Sequence, residues 1–251
     1  MNKTILLFTG LILSAGVASS QMTRSHFSSI SLNFLQIKEE ANHGLVFRGP
    51  GLGYAYSSQW QNEKYLIGYE GRIFLEVPFT RGIVAASINF VPVRLDYLFK
   101  IGNENNLCLG PFFTMDYHLE SYPDLQSGYS YWFTHYSLGG ALNYSFNLRE
   151  NHFDLAFHTT VLGITSRQPV YDDPYFYDLG LDIILQNVHH DFQPGSFNRY
   201  NQSELELRWY PKGFSRLAFA YTFQYYGYFE EPELTILNQS IKLIILPNKE
   251  K

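Results

Sequence analysis

Residues 214–229 read Phe-Ser-Arg-Leu-Ala-Phe-Ala-Tyr-Thr-Phe-Gln-Tyr-Tyr-Gly-Tyr-Phe, and this stretch decides the fold class. Large apolar residues stand at every second position from Leu217 to Tyr225, and small or polar residues stand between them. Successive side chains of a β-strand point to opposite faces, so this alternation predicts a strand with one aromatic-rich face and one polar face. The first face suits an apolar environment, and the second suits water or polar partners.

The same pattern recurs along most of the chain, between turns rich in Gly, Asn, Asp, Pro and Ser. Residues 131–148 repeat it, with small side chains on the polar face that indicate a narrow, filled interior. The other predicted strands cover about 27–38, 44–57, 64–77, 84–101, 106–119, 152–165, 175–188, 201–211 and 235–246. Short turns are expected at Gly102–Asn105, Arg149–Asn151 and Pro211–Gly213, and loops at about 120–130 and 166–174.

Composition limits the class of protein to which this chain can belong. Charged residues make up only 16% of its 251 residues, against roughly 25% in typical soluble domains, while aromatic residues reach 18%. Rings at alternate positions of short segments are expected where one face of a strand meets lipid. The net charge of −5, without a basic stripe, argues against a nucleic-acid partner. Cys108 is the only cysteine, so an intrachain disulfide is impossible, and no motif calls for a cofactor.

Residues 1–20 have the pattern of a secretory signal. Lys3 provides the positive start, Ile5 to Val17 the apolar stretch, and Ala18-Ser19-Ser20 a small-residue cleavage site before Gln21. The apolar stretch is shorter than the roughly 20 residues that a membrane-spanning helix needs. The sequence therefore predicts an exported chain whose single mature domain covers residues 21–251.

The chain resembles bacterial outer-membrane β-barrel proteins in its export signal, its aromatic-rich strands and its pattern of short turns and long loops. The resemblance covers nearly all of the mature chain and is one of architecture, without a motif for a functional subfamily. It implies an all-β, closed, antiparallel transmembrane barrel in the outer membrane, in contact with its lipids and with the barrel-assembly machinery. Residues 241–247 do not end in the terminal aromatic residue that many such barrels use as an assembly signal.

Eleven candidate strands leave the strand number open. Single-chain bacterial barrels usually have an even number, so we expect about twelve strands, with ten as the alternative. A soluble β-sandwich also gives many alternating strands. The Tyr residues near strand ends favour the barrel, because interfacial aromatic belts occur at both membrane surfaces.

Charged residues at alternate positions are expected to point into the lumen, since lipid-facing Arg or Lys near the midplane costs about 2–4 kcal/mol. The set comprises Glu70, Arg72, Arg94, Asp96, Asp116, Glu204, Glu206, Arg208 and Arg216, with Glu76, Glu120, Asp154, Asp178 and Asp182 beside them. Either a network of paired charges fills the barrel, or an acidic path conducts small cations. The expected role is non-enzymatic: a narrow pore, or a structural or accessory barrel that acts through unidentified protein partners.

An enzymatic alternative depends on His135 and Ser137, which share one face of a predicted strand, so that the imidazole can activate the hydroxyl. The spacing is similar to the His-x-Ser of outer-membrane phospholipases and lipid A deacylases, which implies an outer-membrane lipid hydrolase. Asp116 or Glu120 is then the third member of the triad. The pair is expected on the lumen side, whereas the resembled enzymes present it to the membrane.

A metal site is the other alternative, suggested by His189-His190-Asp191. Adjacent strand residues point to opposite faces, so both imidazoles reach one ion only if this segment is a loop. We therefore expect no metal.

Overall fold

A computed structural model of the chain describes residues 22–40, 44–102, 106–124, 129–167, 188–214 and 216–246. These residues form thirteen strands. In chain order they are β1 (Thr23–Glu39), β2 (Val46–Gln61), β3 (Tyr65–Glu76), β4 (Phe79–Thr80), β5 (Ile83–Val84), β6 (Ala86–Ile101), β7 (Leu107–Tyr122), β8 (Tyr129–Leu148), β9 (Asn151–Arg167), β10 (Gln193–Ser196), β11 (Tyr200–Tyr210), β12 (Leu217–Tyr228) and β13 (Leu234–Ile245).

Ten of these strands close into an antiparallel barrel. Their order around the ring is β1, β13, β12, β11, β9, β8, β7, β6, β3 and β2, and β2 pairs with β1 to complete it. The short strands β4 and β5 form a hairpin beside β2, and β10 extends the edge of β9. The predicted closed antiparallel barrel is confirmed.

The ring contains ten strands, the alternative count, rather than twelve. Ten of the eleven candidate segments coincide with its strands, and the eleventh, at 175–188, lies outside the described residues except for Val188. The even-number rule raised the expected number of strands from the eleven candidates to twelve, whereas the closed ring contains ten strands. The predicted signal at residues 1–20 also lies outside the described residues. Within the described ranges, no helix combines the length and apolar character needed to cross a membrane.

The two ends of the barrel differ in their connections. At the end where β1 begins and β13 finishes, which we call the turn end, Leu148 is followed within three residues by Asn151, and Tyr210 by Leu217 within seven. The predicted short turns at Arg149–Asn151 and Pro211–Gly213 belong to this end, and the third, Gly102–Asn105, lies outside the described residues except for Gly102. The opposite end, the loop end, carries residues 77–85 and the connection between β9 and β11. Bacterial barrels place short turns in the periplasm and longer loops outside the cell.

The wall alternates as the sequence predicts. On β12, Ala218 and Thr222 are buried inside the barrel, while Tyr221 on the other face is exposed. On β1, the inward Asn33 is buried, whereas the outward Leu32 is 67% exposed. A closed sheet with polar side chains inside and apolar ones outside satisfies every ladder hydrogen bond without an edge, which is what a lipid environment requires.

Apolar residues occupy both ends of the lumen and leave a polar region between them. The cluster at the loop end comprises Leu35, Ile37, Phe133, Tyr200, Tyr226, Tyr228, Leu234 and Ile236. Towards the turn end, Ala218, Ala220 and Ile244 form a second cluster against Phe27 and Tyr210. The buried charged side chains Glu70, Arg72, Arg94 and Glu204 lie between these two clusters.

Candidate functional site

The polar region of the lumen is the candidate site, and Glu204 lies at its centre. One carboxylate oxygen, Oε2, is 2.6 Å from Nη1 of Arg72, and the other, Oε1, is 2.6 Å from Nη1 of Arg94. The side-chain amide of Gln224 donates a third hydrogen bond to Oε2, at 2.7 Å. All four side chains are buried. Charge-assisted bonds of this length are the strong ones, and both carboxylate oxygens are occupied by them.

Glu70 provides a second carboxylate for the same two arginines. Its Oε1 lies 3.3 Å from Nη1 of Arg72 and 3.2 Å from Nη2 of Arg94. The two acids and two arginines therefore form a buried group with no net formal charge. Such a group satisfies the requirement that buried charges be paired.

The geometry of the ring makes this group a bridge across the lumen. Counted from β1, β11 is fourth and β3 is ninth of the ten strands, so they stand five places apart, on opposite sides. Arg72 on β3 and Glu204 on β11 therefore span the full width of the barrel. The alternation of the strands positions both side chains inward, and the small barrel brings their charged groups into contact.

A second charged group lies nearer the turn end. Glu206 Oε1 is 2.5 Å from Nε of Arg208, and its Oε2 is 2.5 Å from Nζ of Lys242 and accepts a 2.9 Å hydrogen bond from Thr222. A cavity of about 20 Å³ adjoins this group, bordered also by Ser29, Ser57 and Glu70 among others. It is large enough for about one water molecule.

Polar contacts cross the lumen nearer the loop end as well. Asn238 on β13 donates a 2.7 Å hydrogen bond to Glu76 on β3. Tyr226 on β12 donates one of 2.8 Å to Oδ2 of Asp116 on β7, whose Oδ1 accepts another from Asn89. Arg167 on β9 reaches Glu39 on β1 at the loop-end rim. Lumen-facing groups from opposite parts of the ring are thus bonded at several heights.

The remaining predicted lumen charges lie at different distances from this network. Asp96, partly buried, is 3.2 Å from Nε2 of His158. Arg216 is exposed in the turn before β12, and Asp178 and Asp182 lie outside the described residues. Lys242 is a lumen charge missing from the predicted set, although Asn238, Ser240 and Lys242 alternate with apolar residues as the other inward sets do.

His135 and Ser137 both face the lumen from β8, where they are 0% and 1% exposed. Nε2 of His135 lies 2.9 Å from the side-chain oxygen of Gln202 and 3.8 Å from Oδ2 of Asp116. Nδ1 of His135 and the Ser137 hydroxyl have no hydrogen-bond partner among the described residues, so the base and the nucleophile are not joined. Glu120 instead contacts His118 and Tyr122. Both side chains are thus buried on the lumen side of the strand, not on its lipid-like outer face.

The segment at 188–192 packs on the outer wall at the loop end. Nδ1 of His189 is 2.9 Å from the hydroxyl of Tyr136, which is itself 2.7 Å from that of Tyr117. Among the described residues, no group of three or more His, Cys, Asp or Glu side chains is arranged to hold a metal ion. His189 therefore takes part in an aromatic contact with the wall.

Comparisons with known proteins find similar structures but no similar sequence. No protein-family model matches the chain, and no curated protein sequence does. Among solved structures, it is similar to the outer membrane protease OmpT from Escherichia coli, at 10% identity over 92% of this chain and 99% of that one, with a TM-score of 0.47. The translocator domain of the autotransporter NalP from Neisseria meningitidis matches at 8% identity over 96% and 95%, with a TM-score of 0.45.

The β domain of the Bordetella autotransporter BrkA also matches, at 11% identity over 88% of this chain and 98% of that one, with a TM-score of 0.44. These neighbours are bacterial outer-membrane β-barrels of varied roles. No functional subfamily is evident from them.

Proposed function

We propose that the chain is an integral outer-membrane barrel of non-enzymatic role, with a closed lumen. It acts as a structural or accessory barrel whose loops meet protein partners outside the cell, after export by the signal at residues 1–20 and insertion by the barrel-assembly machinery. The apolar outer wall supports the membrane placement, because such a surface is stable only against lipid or a partner.

The closed lumen rests on one observation: Arg72 on β3 is bonded to Glu204 on the opposite strand β11, and Arg94 on β6 is bonded to the other oxygen of Glu204. An ion crossing the barrel would have to displace these bonds and leave charges unpaired in a dry interior, which is strongly unfavourable. Apolar clusters lie on both sides of the bridge and add no polar path for a solute. The geometry therefore favours the accessory role over the narrow pore.

The lipid-hydrolase alternative is not favoured. Hydrolysis needs the hydroxyl of Ser137 within hydrogen-bond reach of the imidazole and open to substrate. The buried, unjoined positions of these two side chains meet neither condition.

Single-channel conductance in planar bilayers tests the closed lumen. We expect no discrete openings from the folded wild-type protein. The quadruple variant Glu70→Ser/Arg72→Ser/Arg94→Ser/Glu204→Ser removes the bridge together with all four of its charges, and we expect it to conduct. Flotation of both proteins with lipid vesicles shows that each has inserted, so that silence of the wild type reports a closed lumen. Steady wild-type openings with a preference for cations would instead support the pore.

A further inference from the structure

The outer wall of the barrel has an uneven distribution of charge. Within the described residues, the outward positions of the ten ring strands hold no Asp or Glu. They hold three Lys or Arg residues, Arg24, Lys38 and Arg48, and all three belong to the neighbouring strands β1 and β2. Arg24 lies at the turn end, over the ring of Trp60. Lys38 and Arg48 lie together at the loop end.

The strand register brings Lys38 and Arg48 to diagonal positions on one face. Arg48 is opposite Gln36, and Lys38 is two residues beyond Gln36 on the same strand. Diagonal neighbours of this kind are roughly 7–8 Å apart, within reach of long side chains. Nε of Arg48 donates a 2.8 Å hydrogen bond to the side-chain oxygen of Gln36. Thr235 of β13 is opposite Lys38 on the other side and adds a hydroxyl.

Neither cation is neutralised by the part of the chain that the structure describes. No carboxylate there lies within 4.0 Å of the charged nitrogens of Lys38 or Arg48, and both residues are exposed. Directly below them on the same face, towards the middle of the barrel, the exposed side chains are Phe34, Leu32 and Leu52. Two cations thus stand at the loop-end edge of an apolar surface.

From this juxtaposition we infer that Lys38 and Arg48 bind the headgroup phosphate of an anionic membrane lipid in the outer leaflet, whose acyl chains lie along Leu32, Phe34 and Leu52. The inference rests on the proposed membrane placement. Arg offers a planar set of donors to phosphate oxygens and Lys a compact charge, while Thr235 supplies a further hydroxyl group. Glu40, two residues beyond Lys38, accepts a hydrogen bond from the backbone N–H of Glu233 with its carboxylate, and the outward strand positions below Lys38 and Arg48 hold no acid that would repel such a headgroup.

Spin-labelled phosphatidic acid and spin-labelled phosphatidylcholine, each in phosphatidylcholine vesicles that hold the folded full chain, provide the test. The fraction of immobilised label gives the relative association constant of each lipid at the barrel. We expect the wild type to prefer phosphatidic acid. Lys38→Gln/Arg48→Gln should lose roughly fivefold of that preference for each cation removed, because an anionic lipid surface attracts each nearby Lys or Arg by a similar factor.

The matched control is Lys64→Gln/Lys212→Gln, which removes the same charge from exposed turns at the turn end of the barrel, away from Lys38 and Arg48. Retained preference in this control supports a defined site. Equal losses in both variants, or no wild-type preference, would overturn the inference. Release of the lipid by excess inorganic phosphate would do so too, since it assigns the cations to the free anion. Failure of the chain to enter vesicles, read by flotation, contradicts the membrane placement instead.

Discussion

Glu204 is the residue on which the lumen network depends most, because both of its oxygens accept charge-assisted bonds from arginines. In Glu204→Gln the shape of the side chain is kept, while Arg72 and Arg94 retain only the carboxylate of Glu70. Removing one partner of a buried ion pair costs about 3–5 kcal/mol, since a charge is left uncompensated. We expect a loss of that size in the free energy of unfolding, measured by denaturant titration in lipid vesicles.

Glu150→Gln is the control for this substitution. Glu150 pairs with Lys212 at 2.9 Å, but the two side chains are 71% and 65% exposed. Exposed pairs contribute about 0–1 kcal/mol, so this variant should unfold close to wild type. Equal stability of the two variants would mean that water reaches the lumen network and screens it.

At the scale of single residues, the sequence predicts which way a side chain points better than it predicts which residue that side chain contacts. Period-two alternation identified Glu204 and Arg72 as inward-facing residues. Their pairing joins positions 132 residues apart, and it depends on the strand number and the register of the whole ring. Neither quantity is local, so no sequence window contains the information. Arg216 shows the opposite failure, since the alternation was extended one residue beyond the strand, into a turn.

At the scale of the element, β8 contains two adjacent glycines with contrasting surroundings. The register between β8 and β9 shifts at Leu138/Gly139. A Cβ on Gly139 would overlap the carbonyl oxygen of Thr159 and the ring of Phe112, whereas a Cβ on Gly140 would meet nothing within 4 Å. Gly139 therefore permits the close approach of the two strands at the bulge.

We expect Gly139→Ala to destabilise the barrel by about 1–3 kcal/mol, the usual cost of overpacking, because backbone must move. Gly140→Ala should leave stability within roughly 0.5 kcal/mol of wild type, as for substitutions away from packed features. Midpoints of denaturant unfolding in vesicles compare the two. A larger loss from Gly140→Ala would contradict the assigned register.

The strands themselves are predictable because each carries its own pattern. The ten ring strands coincide with predicted segments, as on β7, where 107–122 was expected at about 106–119. The hairpin of β4 and β5 and the short β10 are too brief to show a period. Register shifts at Glu70/Arg72 and Phe90/Val93 also escape prediction, because they depend on contact with the neighbouring strand.

At the scale of the whole molecule, the apolar outer wall predicts that the cost of an introduced charge depends on its depth in the bilayer. Leu32 is the middle residue of the exposed apolar run Ile30, Leu32 and Phe34 on β1. Leu32→Arg should cost about 2–4 kcal/mol at the membrane midplane, whereas Ser28→Arg on the same strand and face should cost about 0–1 kcal/mol near the interface.

Unfolding from phosphatidylcholine vesicles measures both substitutions. Repeating the titration with the folded protein in detergent micelles gives the control, because a micelle adapts to a charge that a bilayer cannot accommodate. The same cost at both positions would show that the wall has no apolar band of membrane thickness.

The bridge between opposite sides of the ring also bears on how the barrel becomes complete. Both arginines come from β3 and β6 in the first half of the chain, and Glu204 comes from β11 in the second half. An open, partly formed sheet therefore carries guanidinium groups without their main counter-charge and keeps them hydrated. Only when β1 meets β13 do the opposite sides come within bonding distance, so the interior loses its water in the same event that seals the wall.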